Sequence, residues 1–134
     1  MRSRGDRLLL FVSRLLESVI VKSLEDKGFL GMPSYEDFFF TCPVEKASAI
    51  CDGVIERFEE GRDEHYLEQH RQLGELTYYD YRGDLVRAPF VRLALGGVCN
   101  TRRFVTTYAA VAEWGAQALL KARAQGTSAC ILEE

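Results

Sequence analysis

The feature that most limits how this chain can fold is residues 97–105, together with the apolar stretch that follows them to about Leu120. After Arg103, apolar or small side chains recur at spacings of three and four, which together cover most of the circumference of a helix. These side chains are Phe104, Val105, Tyr108, Ala109, Val111, Ala112, Ala116 and Leu119. The pattern predicts a central helix that the rest of the chain buries on several sides.

The start of this predicted helix carries a charge that needs a partner. Asn100 or Thr101 is a good N-cap, which places Arg103 in the first helical turn. A cation there interacts unfavourably with the helix dipole. We therefore expect Arg103 to meet a carboxylate of a partner or of this chain, where Asp52 and Asp84 are the candidates. An exposed arginine is the remaining alternative.

Helical periodicity also recurs before the central helix, and no alternating apolar–polar run is long enough to predict a strand. Residues 29–42 and 74–83 have the composition of loops, and Phe38, Phe39 and Phe40 are expected to fix the first loop to the core. The predicted helices span residues 6–27, 43–61, 62–73, from between 85 and 89 to 95, and about 100–125. We predict an all-α bundle of five or six helices, with residues 1–134 forming a single domain.

Composition excludes several classes of protein. The chain has 134 residues and 47% hydrophobic content, which is enough for a core. A net charge of −3 argues against non-specific nucleic-acid binding, which needs a surplus of Lys and Arg. Arg14 and Glu17 interrupt the apolar run near the start, and no run approaches the ~20 apolar residues of a membrane span. We expect a soluble, cytoplasmic protein without a transmembrane anchor.

The cysteines and histidines give little support for catalysis or metal binding. His65 and His70 are five residues apart, so they lie on different faces of a helix. The cysteines have no C-x-x-C spacing, which favours free thiols in a reducing compartment over disulfides or a zinc site. They are Cys42, Cys51, Cys99 and Cys130. We predict no metal and no cofactor, and we do not expect an enzyme.

Three segments resemble homology regions of the Bcl-2 family, in the order in which that family has them. Residues 100–105, Asn-Thr-Arg-Arg-Phe-Val, resemble the first region, which opens the family's central helix. Residues 47–57, Ala-Ser-Ala-Ile-Cys-Asp-Gly-Val-Ile-Glu-Arg, resemble the third region, called BH-3. Residues 24–29, Leu-Glu-Asp-Lys-Gly-Phe, resemble the end of the fourth region. The resemblance implies a Bcl-2-like helical bundle that is shortened at its C-terminal end.

The resemblance also implies a function. The BH-3-like segment has Ala47 and Cys51 where the family has Leu and Gly, which favours a receptor-type, prosurvival member. The segment that follows the first region lacks the family's second region and membrane tail, as do compact viral members. Such a member inhibits apoptosis by binding the BH-3 helix of proapoptotic proteins, Bim-like helices and Bax/Bak-type effectors, in a hydrophobic groove. For a viral member, the resemblance implies a location in the host cytosol, and a peripheral one at mitochondria through partners.

The groove implied by this resemblance has a charged residue at its edge. Arg103 would pair with the Asp of the ligand, and Asn100 would add hydrogen bonds nearby. The other expected groove residues are Val54, Phe58, Tyr66, Leu67, His70, Phe90, Leu93 and Phe104. The alternative for these apolar residues is that they form the core. Because an empty groove is an exposed apolar patch, we also expect a homodimer.

The alternative function is a helical adaptor or interaction protein unrelated to apoptosis, in which the three motif matches are coincidental. An enzyme is the third and least favoured class.

Overall fold

The computed structural model describes residues 4–24, 28–33, 37–102 and 104–134, and they form a mixed α/β fold. The prediction of an all-α, Bcl-2-like bundle is therefore wrong. The helices are α1 (Arg4–Leu24), α2 (Val44–Arg62), α3 (Glu68–Leu73) and α4 (Tyr108–Arg123), with a 3₁₀ turn at Asp63–His65. The strands are β1 (Phe29–Gly31), β2 (Phe39–Thr41), β3 (Leu76–Tyr79), β4 (Leu85–Ala88), β5 (Ala94–Val98) and β6 (Ala129–Glu133).

Helices α1 and α2 pack against each other and bury the main apolar cluster. Both sequences place apolar residues at three–four spacing, so each helix has one apolar face, and the predicted helices over 6–27 and 43–61 are confirmed over most of their length. The buried cluster consists of Val12, Leu15, Leu16, Ile20, Ile50, Val54 and Phe58. Each fully buried aliphatic or aromatic side chain contributes roughly 1.5–3 kcal/mol by leaving water.

The second part of the core is a β–α–β unit made by β5, α4 and β6. The two strands are parallel, in a register that runs from Ala94 opposite Ala129 to Val98 opposite Glu133. Parallel neighbours need a long crossover connection, and α4 supplies it. Leu95 packs on the α1–α2 cluster, whereas the Cα of Gly96 faces the backbone of α4. The sheet therefore lies between two helical layers.

The predicted central helix, about residues 100–125, is observed as α4 over Tyr108–Arg123. It begins at Tyr108, and its N-cap is Thr107, whose Oγ1 accepts a hydrogen bond from Ala110 N at 3.2 Å. Asn100 and Thr101 lie in the loop before it. The predicted helix that was to end at residue 95 is also wrong, since residues 94–98 form β5.

The other strands form two antiparallel hairpins. In one, β1 pairs with β2, so that Leu30 lies opposite Phe40. In the other, β3 pairs with β4 around a turn in which Asp80 Oδ1 accepts hydrogen bonds from the backbone N–H groups of Arg82 and Asp84, at 2.9 and 3.0 Å. Gly83 has a φ of +83° in this turn, a conformation that glycine adopts without strain. Both hairpins lie at least partly in segments that the sequence predicted to be loops.

We expect the substitution Gly96→Ala to destabilise the fold, because α4 lies directly on this residue. A Cβ added to Gly96 would be 2.6 Å from Leu119 Cα and 2.8 Å from the carbonyl carbon of Ala118. Backbone atoms cannot rotate away, so the free energy of unfolding is expected to fall by about 1–3 kcal/mol in urea titrations. Gly115→Ala is the matched control, since its Cβ would meet Val98 Cγ2 at 4.0 Å, an ordinary contact. The Gly115→Ala substitution is expected to raise the free energy of unfolding by about 0.5–1 kcal/mol. Equal stability of the two variants would contradict the close packing of α4 on Gly96.

Candidate functional site

A cavity of about 1010 Å³ lies beside β5. Its lining includes every residue of β5 but only Leu132 of β6, so it follows the edge of β5 that faces away from β6. We call this cavity the β5 slot. Its size is at the upper end of the range typical of ligand sites, about 300–1,000 Å³.

The β5 slot has two apolar walls, one from each helical layer. The first wall includes Phe38, Phe40, Val44 and Ala47, from the segment before β2 through to α2. The second wall is one face of α4, made by Tyr108, Val111, Ala112, Gly115, Ala116 and Leu119. Val44, Tyr108, Ala112 and Ala116 are exposed, so both walls extend beyond the strand that separates the two layers.

The floor of the slot is a strand edge whose hydrogen-bonding groups lack partners among the described residues. Ala129 N donates to Leu93 O at 3.1 Å, and Cys99 N donates to Glu133 O at 2.7 Å. In a parallel ladder these bonds show that the backbone N–H and C=O groups of the odd-numbered residues of β5 point toward β6. The backbone groups of the even-numbered residues therefore point away from β6. The outward residues are Ala94, Gly96 and Val98, and no residue in the described part of the chain pairs with their backbone groups. Unpaired edges of this kind are templates for a further strand.

The slot is also lined by three thiols that stay neutral near pH 7. The prediction of free thiols is confirmed for all four cysteines. A hydrogen bond with Cys130, followed by burial, raises the pKa of Cys51. Burial also raises the pKa values of Cys42 and Cys99. A protonated thiol is a weak nucleophile, so these cysteines add apolar surface to the slot rather than reactivity.

We expect Cys51 to resist alkylation in the folded protein. A raised pKa leaves less thiolate at a given pH, and only thiolate reacts. Iodoacetamide at pH 8, followed by peptide mass spectrometry, is expected to modify Cys51 much more slowly than it does in urea-unfolded protein. Equal rates in the two states would contradict the burial of this thiol.

The structure places two of the predicted groove residues inside the α1–α2 core. Val54 and Phe58 are 0% and 1% exposed, and they contact α1 rather than face a groove. His70 is buried as well, and its Nδ1 has no hydrogen-bond partner among the described residues. Leu67 is 41% exposed and precedes α3. These residues do not share one surface.

Three of the predicted residues do come together, around an arginine that the sequence analysis did not single out. Tyr66 stacks on Phe90 with ring centroids 4.1 Å apart, and the Arg62 guanidinium lies 5.5 Å from the Phe90 ring and 5.9 Å from the Phe58 ring. Arg62 also forms ion pairs with Glu59 and Asp63 and donates a hydrogen bond to Val91 O at 3.3 Å. This cluster joins the end of α2 to the segment before β5. The i, i+4 spacing of Arg62 from Phe58 is the sequence signal that could have identified this arginine.

Three more of the predicted groove residues are Arg103, Asn100 and Phe104. Arg103 lies outside the described residues. Phe104 is 91% exposed in the loop before α4, and Asn100 is exposed at the β5 slot. Phe90 and Leu93 also line the slot. Since α4 begins at Tyr108, the helix-dipole argument for a carboxylate partner of Arg103 no longer applies.

We expect Phe58→Ala to reduce stability strongly, as a core substitution does. Truncating a buried Phe costs about 3–5 kcal/mol through lost burial and the cavity left behind. Thermal or urea unfolding measures this loss. Leu67→Ala is the control, because Leu67 is largely exposed and its truncation is expected to change stability by less than ~1 kcal/mol. A soluble, fully stable Phe58→Ala protein would favour the groove position instead.

Within the described residues, none of the helices has the length and apolar character needed to cross a bilayer. The same residues contain no cluster of three or more His, Cys, Asp or Glu side chains suited to a metal ion. The comparisons find no matching family model, no matching curated protein and no matching solved structure.

Proposed function

We propose that this chain is a protein-interaction module that binds an extended, apolar segment of a partner polypeptide by strand addition at the β5 slot. The observation that carries this proposal is the unpaired edge of β5 between two apolar walls. Strand addition gives affinity through backbone hydrogen bonds and specificity through pockets for the side chains.

The backbone of β5 favours an extended occupant over a helix. Ala94, Gly96 and Val98 direct donors and acceptors into the slot, and only a partner with free backbone groups can satisfy them. A helix uses its backbone groups internally and is about 10–12 Å wide. A strand needs only about 4.8 Å beside its neighbour.

The two walls favour a single segment over a second folded copy of this chain. Parallel sheets are normally covered on both faces, and a strand placed in the slot would be covered in this way by α4 and by the α2 wall. A second copy would have to insert its own β5 edge, whose walls protrude in the same manner. The walls of the two copies would then meet before the strands could pair.

The dimensions of the slot set the expected length and affinity of the segment. The five residues of β5 span about 17 Å at 3.3 Å per residue, so a partner strand of about five residues matches it. Because both faces of that strand would be buried, its residues are expected to be mostly apolar rather than alternating. After the cost of ordering a free peptide, we expect a Kd of roughly 1–100 μM.

The Bcl-2-type role stays a prediction that no comparison tests. It comprises inhibition of apoptosis, BH-3 and Bax/Bak-type partners, a homodimer and a cytosolic location. The described residues of its first motif, 100–102, 104 and 105, lie in a loop before α4, and the apolar face of its BH-3-like segment packs on α1. The β5 slot is therefore the better supported interaction site.

The test of strand addition uses labelled peptides with five apolar residues drawn from Val, Leu and Ile, flanked by Ser and Gln and blocked at both ends. Fluorescence anisotropy is expected to show saturable binding to the parent chain. Ala116→Glu places a charge on the α4 wall and is expected to weaken binding at least about tenfold, since burying an unpaired charge costs more than 1.4 kcal/mol. Gln117→Glu, on the adjacent exposed residue outside the slot, is expected to bind like the parent.

Peptide N-methylation distinguishes strand pairing from non-specific hydrophobic binding. A strand turns alternate N–H groups toward one neighbour, so methylating one alternate set is expected to abolish binding and methylating the other set to leave it nearly unchanged. Equal loss from both sets would contradict strand addition. Tight binding of helical BH-3 peptides, with none of the extended ones, would favour the Bcl-2-type role, and a concentration-dependent dimer that excludes the peptides would favour a second copy.

A further inference from the structure

One end of the β5 slot carries two arginines. Arg92 lies two residues before β5, and Arg123 is the last residue of α4; both line the slot. They share an end because β6 follows α4 and begins opposite Ala94, the first residue of β5. Arg92 Nη1 lies 3.7 Å from the position of a Cβ added to Gly126, in the turn between α4 and β6.

Among the described residues, no carboxylate pairs with either of these two guanidinium groups. Both residues are exposed, and neither forms an ion pair or side-chain hydrogen bond with another described residue. Arg62 and Arg102 differ in this respect, since Arg62 pairs with Glu59 and Asp63, and Arg102 pairs with Glu134 at 3.3 Å. Asp37 is the acidic residue among those that line the slot, and it has an interaction of its own.

The helix dipole accounts for the position of only one of the two arginines. A cation in the last turn of a helix is favourable, and Arg123 is in that position on α4, as is Lys121. Arg92 follows no helix and is placed at the slot by the start of β5. Two guanidinium groups at one end of an apolar site in a chain of net charge −3 form a local positive region, complementary to an acidic group.

We propose that the partner segment carries acidic side chains, Asp or Glu, next to the apolar residues that pair with β5, at the end where Arg92 and Arg123 lie. This inference rests on the proposed strand addition and specifies its ligand. Guanidinium groups form short, often bidentate hydrogen bonds with carboxylates, which fixes the orientation of a bound segment as well as adding affinity. The strand edge itself does not recognise sequence, so the two arginines would set direction and register.

The experiment compares blocked peptides that share one apolar core and differ in their flanks. One peptide has Glu-Glu before the core, one has Glu-Glu after it, and one has Gln-Gln in both places. At low salt, one of the two acidic peptides is expected to bind the parent chain about fivefold more tightly than the Gln peptide, as an exposed ion pair contributes up to ~1 kcal/mol. The preference is expected to shrink at 0.5 M salt because the pair is screened.

Matched variants assign that preference to the two arginines. Arg92→Gln and Arg123→Gln are each expected to reduce the preference for the acidic peptide over the Gln peptide, measured within each variant as the ratio of the two Kd values. Arg87→Gln is the control, since Arg87 lies on β4 outside the slot and pairs with Glu75. Equal preference in all four proteins would overturn the inference.

The remaining outcomes distinguish this inference from the proposed function. If the Gln peptide binds and acidic flanks add nothing, strand addition stands and the charge inference fails. If no peptide binds, both fail. A Gln peptide with a free C-terminal carboxylate that binds as tightly as the best Glu peptide would assign the arginines to a chain terminus, and would overturn the assignment to acidic side chains.

Discussion

The fold depends on the close contact between α4 and the glycine at the middle of β5. Gly96 has no Cβ, so the backbone of α4 at Leu119 can lie directly on the strand. On the opposite face of the sheet, Leu95 packs on the α1–α2 cluster. One short strand thus holds two helical layers together, and each layer buries its apolar face against it. A side chain at residue 96 would separate α4 from the sheet and expose the apolar surfaces that these two elements bury against each other.

This arrangement also explains why the interaction site is at the edge of β5. The helical layers are wider than the two strands between them, so their apolar surfaces face each other beyond that edge across the β5 slot. A strand added there would satisfy the backbone groups of Ala94, Gly96 and Val98, so burial of apolar surface and hydrogen bonding favour the same occupant.

Sequence reasoning found α1 and α2 because each buries one face and exposes the other, which gives a three–four pattern. It missed β5 and β6 for the opposite physical reason. A strand that is covered on both faces has no polar alternation, so Ala94 and Leu95 in one strand, and Cys130 and Ile131 in the other, match a buried helix equally well. The position of α4 was then misjudged because Asn100 and Thr107 are both acceptable N-caps, and only packing against β5 selects Thr107.

The candidate site was only partly accessible to the same reasoning. Phe90 and Leu93 were chosen as apolar surface and do line the slot. The slot itself is defined by backbone groups, which do not depend on residue type, so the sequence could not indicate it. Arg103 was singled out in the sequence as an unsatisfied guanidinium beside an apolar surface. Arg62 does not meet this criterion in the folded chain, because two carboxylates and two rings enclose it, which makes it structural. Arg92 and Arg123 meet the criterion, because they stand at an apolar surface with no carboxylate from the described residues.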